Sequence, residues 1–297
     1  MAEPIAAEVG GRTLKFTNLD KVLYPLVGFT KAQVIEYYVR IAPALLPHVT
    51  GRCMTLRRWP DGVTAEPFYA KRCPDHRPDW LATYGGTGDR GGSIDYCGID
   101  EVAALAWTAN LAALELHAPM ARADDLDSPT ICVFDLDPGE PATITECCQV
   151  ALWLHELLDT IGLQGFAKTS GSKGMQVYVP LNVLHTHDHA SGFAKAAAQL
   201  LTKQHPELVL PQMTKKLRAG KVFIDWSQNS RHKTTIAPYS MRGRDRPTVS
   251  TPITWDEVSD GADGEPLVFE TADVLERVDD VGDLFAPVET LEQQLPG

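Results

Sequence analysis

Two apolar runs that each end in aspartate constrain the fold of this chain more than any other feature. The first run is VFDLDPGE at residues 133–140, and the second is VFID at 222–225. Asp135 and Asp137 flank Leu136, so in a strand both carboxylates leave the same face. A Pro-Gly pair then ends the strand. The runs therefore predict two buried strands, the first of which carries like charges that oppose each other's ionisation.

The three aspartates at these strand ends leave two interpretations open. Converging at one sheet edge, Asp135, Asp137 and Asp225 would hold one or two Mg²⁺ or Mn²⁺ ions, since these hard metals prefer oxygen ligands. Two such ions about 3.5–4 Å apart activate a hydroxyl and stabilise a leaving pyrophosphate. Alternatively, acidic residues simply end solvated strands, which is the more common meaning of a lone D-x-D. The second VFxD-type strand favours the metal site.

The order of the predicted elements favours an α+β fold, because strands and helices mix without regular βαβ alternation. A helix is predicted to begin after the N-cap Thr30, and further helices are expected at 101–117, 143–161 and 188–204. RCMTLRRWP and EPFYAKRC read as strands separated by a turn. The glycine-rich residues 83–93 predict a mobile loop. A chain of 297 residues is long enough for one large domain or two intimate ones.

Charge is distributed unevenly along the chain, whose net charge is −12. Residues 247–297 hold 13 Asp/Glu and one Arg, whereas residues 1–246 hold 26 acidic and 26 basic side chains. The basic residues cluster before residue 91 and after residue 167. An acidic tail beside two basic segments permits a local positive groove for an acidic partner such as nucleic acid.

The chain carries no sign of a membrane or secretory protein. It has no stretch of about 18 apolar residues, and its N-terminus lacks the basic and apolar regions of a signal peptide. We therefore expect a cytosolic protein whose six cysteines are reduced thiols. Cys73-Pro-Asp-His76, with Cys97 downstream, leaves zinc as a less favoured alternative.

Two further segments carry features of phosphate binding. KTSGSKG at 168–174 places small residues and Lys173 between strands, where backbone N–H groups can approach a phosphate. It is a poor match to a Walker P-loop, and a flexible turn is an equal alternative. Eight Lys/Arg lie between residues 215 and 244, beside the second aspartate strand. They form either a solvated basic face or a site for a triphosphate over a metal.

An ordered set of motifs resembles the polymerase/primase domain of bacterial ligase D, in the archaeo-eukaryotic primase superfamily. The motifs are LDKVLYP, RRWPDGV, PFYAKRCP, LELHAP, VFDLDPGE, TSGSKG, LRAGKVFIDWSQN and KTTIAPYSMRGR. The resemblance implies one primase-polymerase domain over 1–297, with core motifs in 14–246 and an acidic C-terminal extension at 247–297. It also implies mixed sheets flanked by helices around a carboxylate-lined cleft.

The resemblance implies template-directed nucleotidyl transfer with two metal ions, Mn²⁺ or Mg²⁺, and an NTP substrate. Ribonucleotides are the expected preference. The expected partners are DNA with gaps or double-strand breaks, a separate ATP-dependent DNA ligase and a Ku-type end-binding protein. No membrane partner is expected. The expected location is the bacterial cytosol or nucleoid. A stand-alone member or an excised domain is expected, because ligase and nuclease domains are absent. The alternatives are a de novo RNA/DNA primase and a non-catalytic module that bridges DNA ends.

Residue roles follow from the same resemblance. The implied catalytic metal ligands are Asp135, Asp137 and Asp225; the nucleotide contacts are Arg57, His117, Ser170, Lys173, Gln228 and Arg242; the 5′-phosphate lysines are Lys21 and Lys31; the template-stacking pair is Phe68 and Tyr69; and Arg218 belongs to an end-synapsis loop. The chain departs from the family where Tyr69 replaces Phe and Arg57 replaces Lys. Gln176 stands where primase relatives have His.

Overall fold

A computed structural model describes residues 3–88, 91–211 and 218–296 of the chain. The helices are Lys31–Val49 (α1), Val102–Asn110 (α2), Ile144–Thr160 (α3), His187–Gln204 (α4), Trp255–Ala262 (α5) and Thr271–Val281 (α6). The strands are Ile5–Val9 (β1), Arg12–Phe16 (β2), Val22–Tyr24 (β3), Phe29–Thr30 (β4), Thr55–Arg58 (β5), Phe68–Ala70 (β6), Thr83–Thr87 (β7), Ser93–Cys97 (β8), Ala113–Pro119 (β9), Ala121–Arg122 (β10), Asp125–Pro129 (β11), Ile131–Pro138 (β12), Phe166–Thr169 (β13), Met175–Pro180 (β14), Val209–Leu210 (β15), Val222–Asp225 (β16), Thr234–Ile236 (β17) and Pro252–Ile253 (β18). The predicted α+β class is confirmed. Within the described ranges, no helix is long and apolar enough to cross a membrane.

The chain forms two compact units that alternate along the sequence. The first unit comprises Met1–Pro119, Ile236–Val249 and Phe269–Gly282, and the second comprises Met120–Thr235, Ser250–Val268 and Asp283–Gly297. The acidic residues 247–297 thus contribute α6 to the first unit and β18 and α5 to the second. The expectation of one domain with an acidic extension stays a prediction.

Helix α1 organises the core of the first unit. Thr30 caps it as predicted, in a capping box with Gln33. Its buried face includes Val34, Tyr38 and Leu45, which join the core cluster of this unit. The Tyr38 hydroxyl donates to the carbonyl oxygen of Leu114 at 2.6 Å, which ties the helix to the sheet of order β17-β9-β5-β6.

The prediction of a helix over residues 101–117 is correct for the first part of this segment and wrong after residue 110. Helix α2 ends at Asn110, and Ala112 adopts a positive φ of 56° before the chain enters strand β9. Leu114 and Leu116 alternate with Glu115 and His117, which is the period of a strand. The LELH motif therefore lies on a central strand.

The mobile loop predicted for 83–93 is also corrected by the structure. Strands β7 and β8 pair as an antiparallel hairpin, with Tyr84 opposite Tyr96; residues 89–90 lie outside the described residues. Cys97 at the end of β8 forms a disulfide with Cys73. The prediction that all cysteines are reduced is wrong for this pair, and the bond leaves neither sulfur available to zinc.

The second unit is built on a six-stranded sheet of order β15-β16-β12-β14-β13-β18. Strand β12 is central and runs antiparallel to both β14 and β16. Its residues Ile131 to Phe134 are buried, as the apolar run predicts. Strand β18 comes from the acidic C-terminal region and pairs with β13 at the sheet edge.

Candidate active site

A row of directly opposed residues crosses four strands of the second unit. From β13 to β16 the row reads Lys168, Gln176, Asp135 and Asp225. Opposed residues in antiparallel strands share one face and have Cβ atoms about 4.5–5.5 Å apart. The sheet register therefore places Asp135 beside Asp225, although 90 residues separate them in the sequence.

Two amide side chains hold the Asp135 carboxylate. Gln176 Nε2 donates to Oδ1 at 2.9 Å, and Gln228 Nε2 donates to Oδ2 at 3.2 Å. Burial raises the pKa of Asp135; these two hydrogen bonds oppose the rise, and the charge of Asp225 adds to it. Gln228, assigned by resemblance to the nucleotide, and Gln176, the departure from primase relatives, thus both orient this carboxylate.

Asp225 is held by neighbours on its own segment. Ser227 donates to Oδ1 through its backbone N–H at 3.0 Å and its hydroxyl at 2.6 Å. Lys233 Nζ lies 3.4 Å from Oδ2. The lysine places a positive charge next to Asp135 and Asp225. This charge favours the ionised form of the aspartates, as a bound cation would.

The donor chemistry of these aspartates fits a hard divalent cation. Asp135 and Asp225 face each other, and Asp137 lies two residues further along the same face of β12, where it is exposed. Among residues 3–88, 91–211 and 218–296, no three His, Cys, Asp or Glu side chains approach closely enough to form a complete metal site by themselves. Mg²⁺ sites commonly use one or two carboxylates and complete the shell with water and substrate phosphates.

The predicted phosphate loop connects β13 to β14. The Ser170 Oγ accepts from the backbone N–H groups of Ser172 at 3.2 Å and Gly174 at 3.3 Å, so this hydroxyl shapes the loop. A Cβ at Gly174 would lie 2.1 Å from the carbonyl oxygen of Leu136, and only glycine permits this approach to β12. Lys173 is exposed and forms a 2.6 Å ion pair with Glu140.

A second group of predicted residues lies on the four-stranded sheet in the first unit. Tyr69 on β6 is opposite Arg57 on β5, and Arg57 is opposite Glu115 on β9. The Arg57 guanidinium carbon lies 5.2 Å from the centroid of the Tyr69 ring, within range of a cation–π contact. Phe68 and Tyr69 are 46% and 58% exposed, which leaves both rings accessible for stacking.

Glu115 is the functional candidate that sequence reasoning missed. Its Oε2 lies 2.9 Å from His117 Nε2 and 3.4 Å from Arg57 Nη1. Its Oε1 accepts from the Gly243 backbone N–H at 3.1 Å and lies 3.2 Å from Arg242 Nε. One carboxylate thus gathers three side chains that the family resemblance assigns to the nucleotide. The motif LELH contained the signal, because Glu115 and His117 share a face once the segment is a strand.

The two lysines assigned to a 5′-phosphate lie in the first unit, and each has a local partner. Lys21 Nζ forms a 2.8 Å ion pair with Asp61. Lys31 Nζ donates to the carbonyl oxygen of Thr17 at 2.7 Å. Burial, with the charges of Lys21 and Arg58, lowers the pKa of Lys31 to about 8.

Arg218 begins the last described range, and its guanidinium carbon lies 4.0 Å from the centroid of the Phe223 ring. Lys215 and Lys216, part of the predicted basic segment, lie outside the described residues. The synapsis role assigned to Arg218 therefore stays a prediction.

Facing aspartates beside a glycine-bearing loop are the arrangement that the sequence resemblance predicts for a nucleotidyltransferase of the primase-polymerase class. The family model of the LigD primase-polymerase domain matches residues 30–285. The chain therefore belongs to the LigD primase-polymerase domain family, a family of nucleotidyltransferase-type DNA polymerases.

Individual relatives agree with this assignment. The multifunctional non-homologous end joining protein LigD of Mycolicibacterium smegmatis is 47% identical over 278 residues, which are 93% of this chain and 36% of that protein. The bifunctional LigD protein of Bacillus subtilis is 33% identical over 89% of this chain and 42% of that protein. The chain thus spans less than half the length of these relatives.

A solved structure has the same fold. It is the polymerase domain from Mycobacterium tuberculosis ligase D in complex with DNA, and it superposes with a TM-score of 0.88 at 42% identity. The alignment covers 94% of this chain and 99% of that one. The expected primase-polymerase fold is confirmed.

Proposed function

We propose that this protein is a metal-dependent, template-directed polymerase that fills gaps or extends ends at DNA breaks. The observation that carries the proposal is the facing pair Asp135 and Asp225, which the sheet register places side by side. Asp137 on the same face completes the set that the family uses for nucleotidyl transfer.

Asp135, Asp137 and Asp225 would hold one or two divalent ions, with Mn²⁺ favoured over Mg²⁺. Bound ions supply the activation of a primer hydroxyl and the stabilisation of leaving pyrophosphate. Gln176 and Gln228 keep Asp135 oriented for that task. Lys173, whose ion pair with Glu140 is exposed and therefore weak, exchanges this partner for the triphosphate.

The DNA contacts that we propose use Phe68, Tyr69, Lys21 and Lys31 of the first unit and Arg218 of the second. Phe68 and Tyr69 stack on template bases, a contact that tolerates any sequence because every base has a π-face. Lys21 and Lys31 bind a 5′-phosphate at the far side of a gap, and Arg218 helps two ends meet. The M. tuberculosis polymerase domain, which was solved with DNA, supports DNA as the partner.

We further propose that ribonucleotides are preferred, with His117 or Arg57 reading the 2′-hydroxyl. A site that hydrogen-bonds a hydroxyl penalises its absence, because the polar groups of the site are left unpaired. The loss of one contact worth about 1.4 kcal/mol gives roughly tenfold discrimination. Insertion opposite one template base, with matched ribo- and deoxynucleotides in Mn²⁺, measures this preference. A ratio near one contradicts it.

The cellular setting follows from the family. We propose a separate ATP-dependent ligase and a Ku-type end-binding protein as partners, in the bacterial cytosol or nucleoid. The end-joining names of the LigD relatives support this setting.

One experiment separates this function from the two alternatives. The protein is incubated with NTPs and Mn²⁺ on a primed, 5′-phosphorylated gapped duplex and on an unprimed single strand. A repair polymerase extends the primed gap and makes no product on the unprimed strand. Comparable synthesis without a primer would identify a primase instead. Binding to both DNAs without synthesis on either would identify an end-bridging module.

A further inference from the structure

We propose that Glu115 is a positioning residue for nucleotide binding, which fixes the tautomer of His117 and the orientation of the Arg242 guanidinium. The inference rests on the proposed function and extends it to a residue with no assigned role. The Glu115 side chain is 1% exposed. It therefore acts through its neighbours rather than by reaching a nucleotide itself.

The effect on His117 follows from hydrogen-bond chemistry. An ionised carboxylate only accepts, so His117 Nε2 carries the proton of the 2.9 Å hydrogen bond to Glu115. Burial lowers the pKa of His117 below its ordinary value, although Glu115 itself acts in the opposite direction. The ring is therefore neutral near pH 7, and Nδ1 keeps a lone pair. His117 is thereby prepared to accept a hydrogen bond, for which a sugar hydroxyl is a better partner than a phosphate.

The effect on Arg242 is electrostatic. Glu115 Oε1 lies 3.2 Å from Nε, the guanidinium nitrogen nearest the backbone. The Tyr24 hydroxyl donates to the Arg242 carbonyl oxygen at 2.8 Å, which holds the same residue from its main chain. The contact is an ion pair rather than a hydrogen bond. It draws the guanidinium toward Glu115, and planar donors placed in this way bind phosphate oxygens with directional hydrogen bonds.

The backbone around Glu115 has the shape that this role requires. The Gly243 N–H donates to Oε1 at 3.1 Å. A Cβ at Gly243 would lie 2.2 Å from the Trp59 ring, so only glycine lets the chain pass this close to the indole while its N–H reaches the carboxylate. With donors on both oxygens, the carboxylate cannot rotate without losing hydrogen bonds.

The charges also support an ionised Glu115. Burial alone raises the pKa of Glu115, but the hydrogen bond from His117 and the charges of Arg242, His117 and Arg57 lower it to about 2. The carboxylate is then negative throughout the neutral range. It offsets one of the two guanidinium charges and leaves one net positive charge for a polyanionic nucleotide.

Glu115→Gln tests the proposal, because it keeps the shape and removes the charge. An amide nitrogen in place of one oxygen faces a donor, so His117 or Arg242 loses its partner. We expect the KM for the incoming NTP to rise about tenfold or more, with kcat and gapped-DNA affinity changing less than about threefold. Glu101→Gln is the matched control, because Glu101 pairs with Arg12 in the same unit and should behave as wild type.

A spectroscopic readout distinguishes positioning from packing. In ¹⁵N NMR spectra of the whole protein, the His117 ring, identified by its loss in His117→Gln, should be the Nε2–H tautomer in the wild type. It should become a mixture of tautomers or change tautomer in Glu115→Gln. In the His117→Gln background, Glu115→Gln should raise KM by less than it does alone, since part of its effect passes through His117.

Several outcomes would overturn the proposal while leaving the proposed function intact. The first is an unchanged KM for the NTP in Glu115→Gln, measured while the wild type extends primers. The second is an unchanged tautomer of the His117 ring in Glu115→Gln. The third is full additivity of the effects of Glu115→Gln and His117→Gln on KM. If the glutamine variant does not fold, Glu115→Asp replaces it, because it keeps the charge and shortens the reach. An aspartate variant with wild-type KM also contradicts positioning. Failure of the wild type to extend any primer would instead reject the proposed function.

Discussion

At the scale of single residues, the environment of Lys31 bears directly on the proposed recognition of a DNA 5′-phosphate. Its pKa is lowered to about 8 by burial and by the charges of Lys21 and Arg58. A terminal phosphate has a second pKa of about 6 and is a dianion above that pH. A protonated lysine and a dianionic phosphate therefore coexist only in the window between these two values.

This window predicts a pH dependence for the recognition of a 5′-phosphate. The gain in affinity for a gapped duplex on adding the 5′-phosphate should be largest near pH 7 and should shrink toward pH 9, as Lys31 loses its proton. Fluorescence anisotropy with phosphorylated and unphosphorylated gaps measures the gain at each pH.

Lys21→Ala provides the matching variant for that series. It removes one phosphate partner and also one charge that lowers the pKa of Lys31. The gain at pH 7 should therefore fall strongly, and what remains should persist to higher pH. Equal binding of both DNAs by the unmodified protein would contradict the assignment of these lysines.

At the scale of elements, helices and strands that are specified by nearby residues can be predicted from the sequence, whereas those that depend on distant contacts cannot. Helix α1 is predicted correctly because its N-cap and apolar spacing are encoded within a few residues. Strand β9 is missed because the break between α2 and β9 depends on a positive φ at Ala112, a conformation that alanine does not signal. An apolar run that continues past a helix end looks like more helix.

The candidate site divides in the same way. The two aspartate strands are recognisable from the sequence because each apolar run is continuous and ends in a carboxylate. The row from Lys168 to Asp225 needs the register of four strands, which arises from tertiary pairing and has no local code. Glu115 is missed for the same reason, since its four partners come from three separate segments.

The disulfide between Cys73 and Cys97 gives a prediction at this scale. It closes a segment with a sequence separation of 24, and restricting such a loop in the unfolded chain is worth about 3 kcal/mol. Reduction should lower the free energy of unfolding by about that amount, measured by urea titration with and without dithiothreitol. Cys73→Ala should be equally destabilised and insensitive to the reductant. A wild-type protein indifferent to reductant would contradict the bond.

At the scale of the whole molecule, the acidic C-terminal region forms part of both units. Residues of this region are buried in each, including Val274 in the first unit and Phe285 in the second. Gln293 also donates to the carbonyl oxygen of Pro180 at 3.0 Å. The acidic segment 247–297 therefore also has a structural role, because it contributes buried residues to both units.

Truncation tests that role. Removing residues 247–297 should prevent cooperative folding, because it uncovers apolar core in both units and removes strand β18 from its sheet. Circular dichroism melting of the truncated protein should lack the wild-type transition. A truncated protein that melts like the full chain would instead identify the segment as a dispensable tail.

The central claim is that the aspartates on β12 and β16 carry metal-dependent, template-directed nucleotide addition. Its most direct test is single-nucleotide insertion into a gapped duplex by wild type and Asp137→Ala, with DNA affinity measured in parallel. Asp124→Ala, in the exposed turn between β10 and β11, is the control. We expect insertion that requires Mn²⁺ or Mg²⁺, a loss of about 100-fold or more in Asp137→Ala, and DNA affinity within about twofold of wild type. Near-normal insertion by Asp137→Ala, or insertion by wild type that persists in excess chelator, would contradict the account.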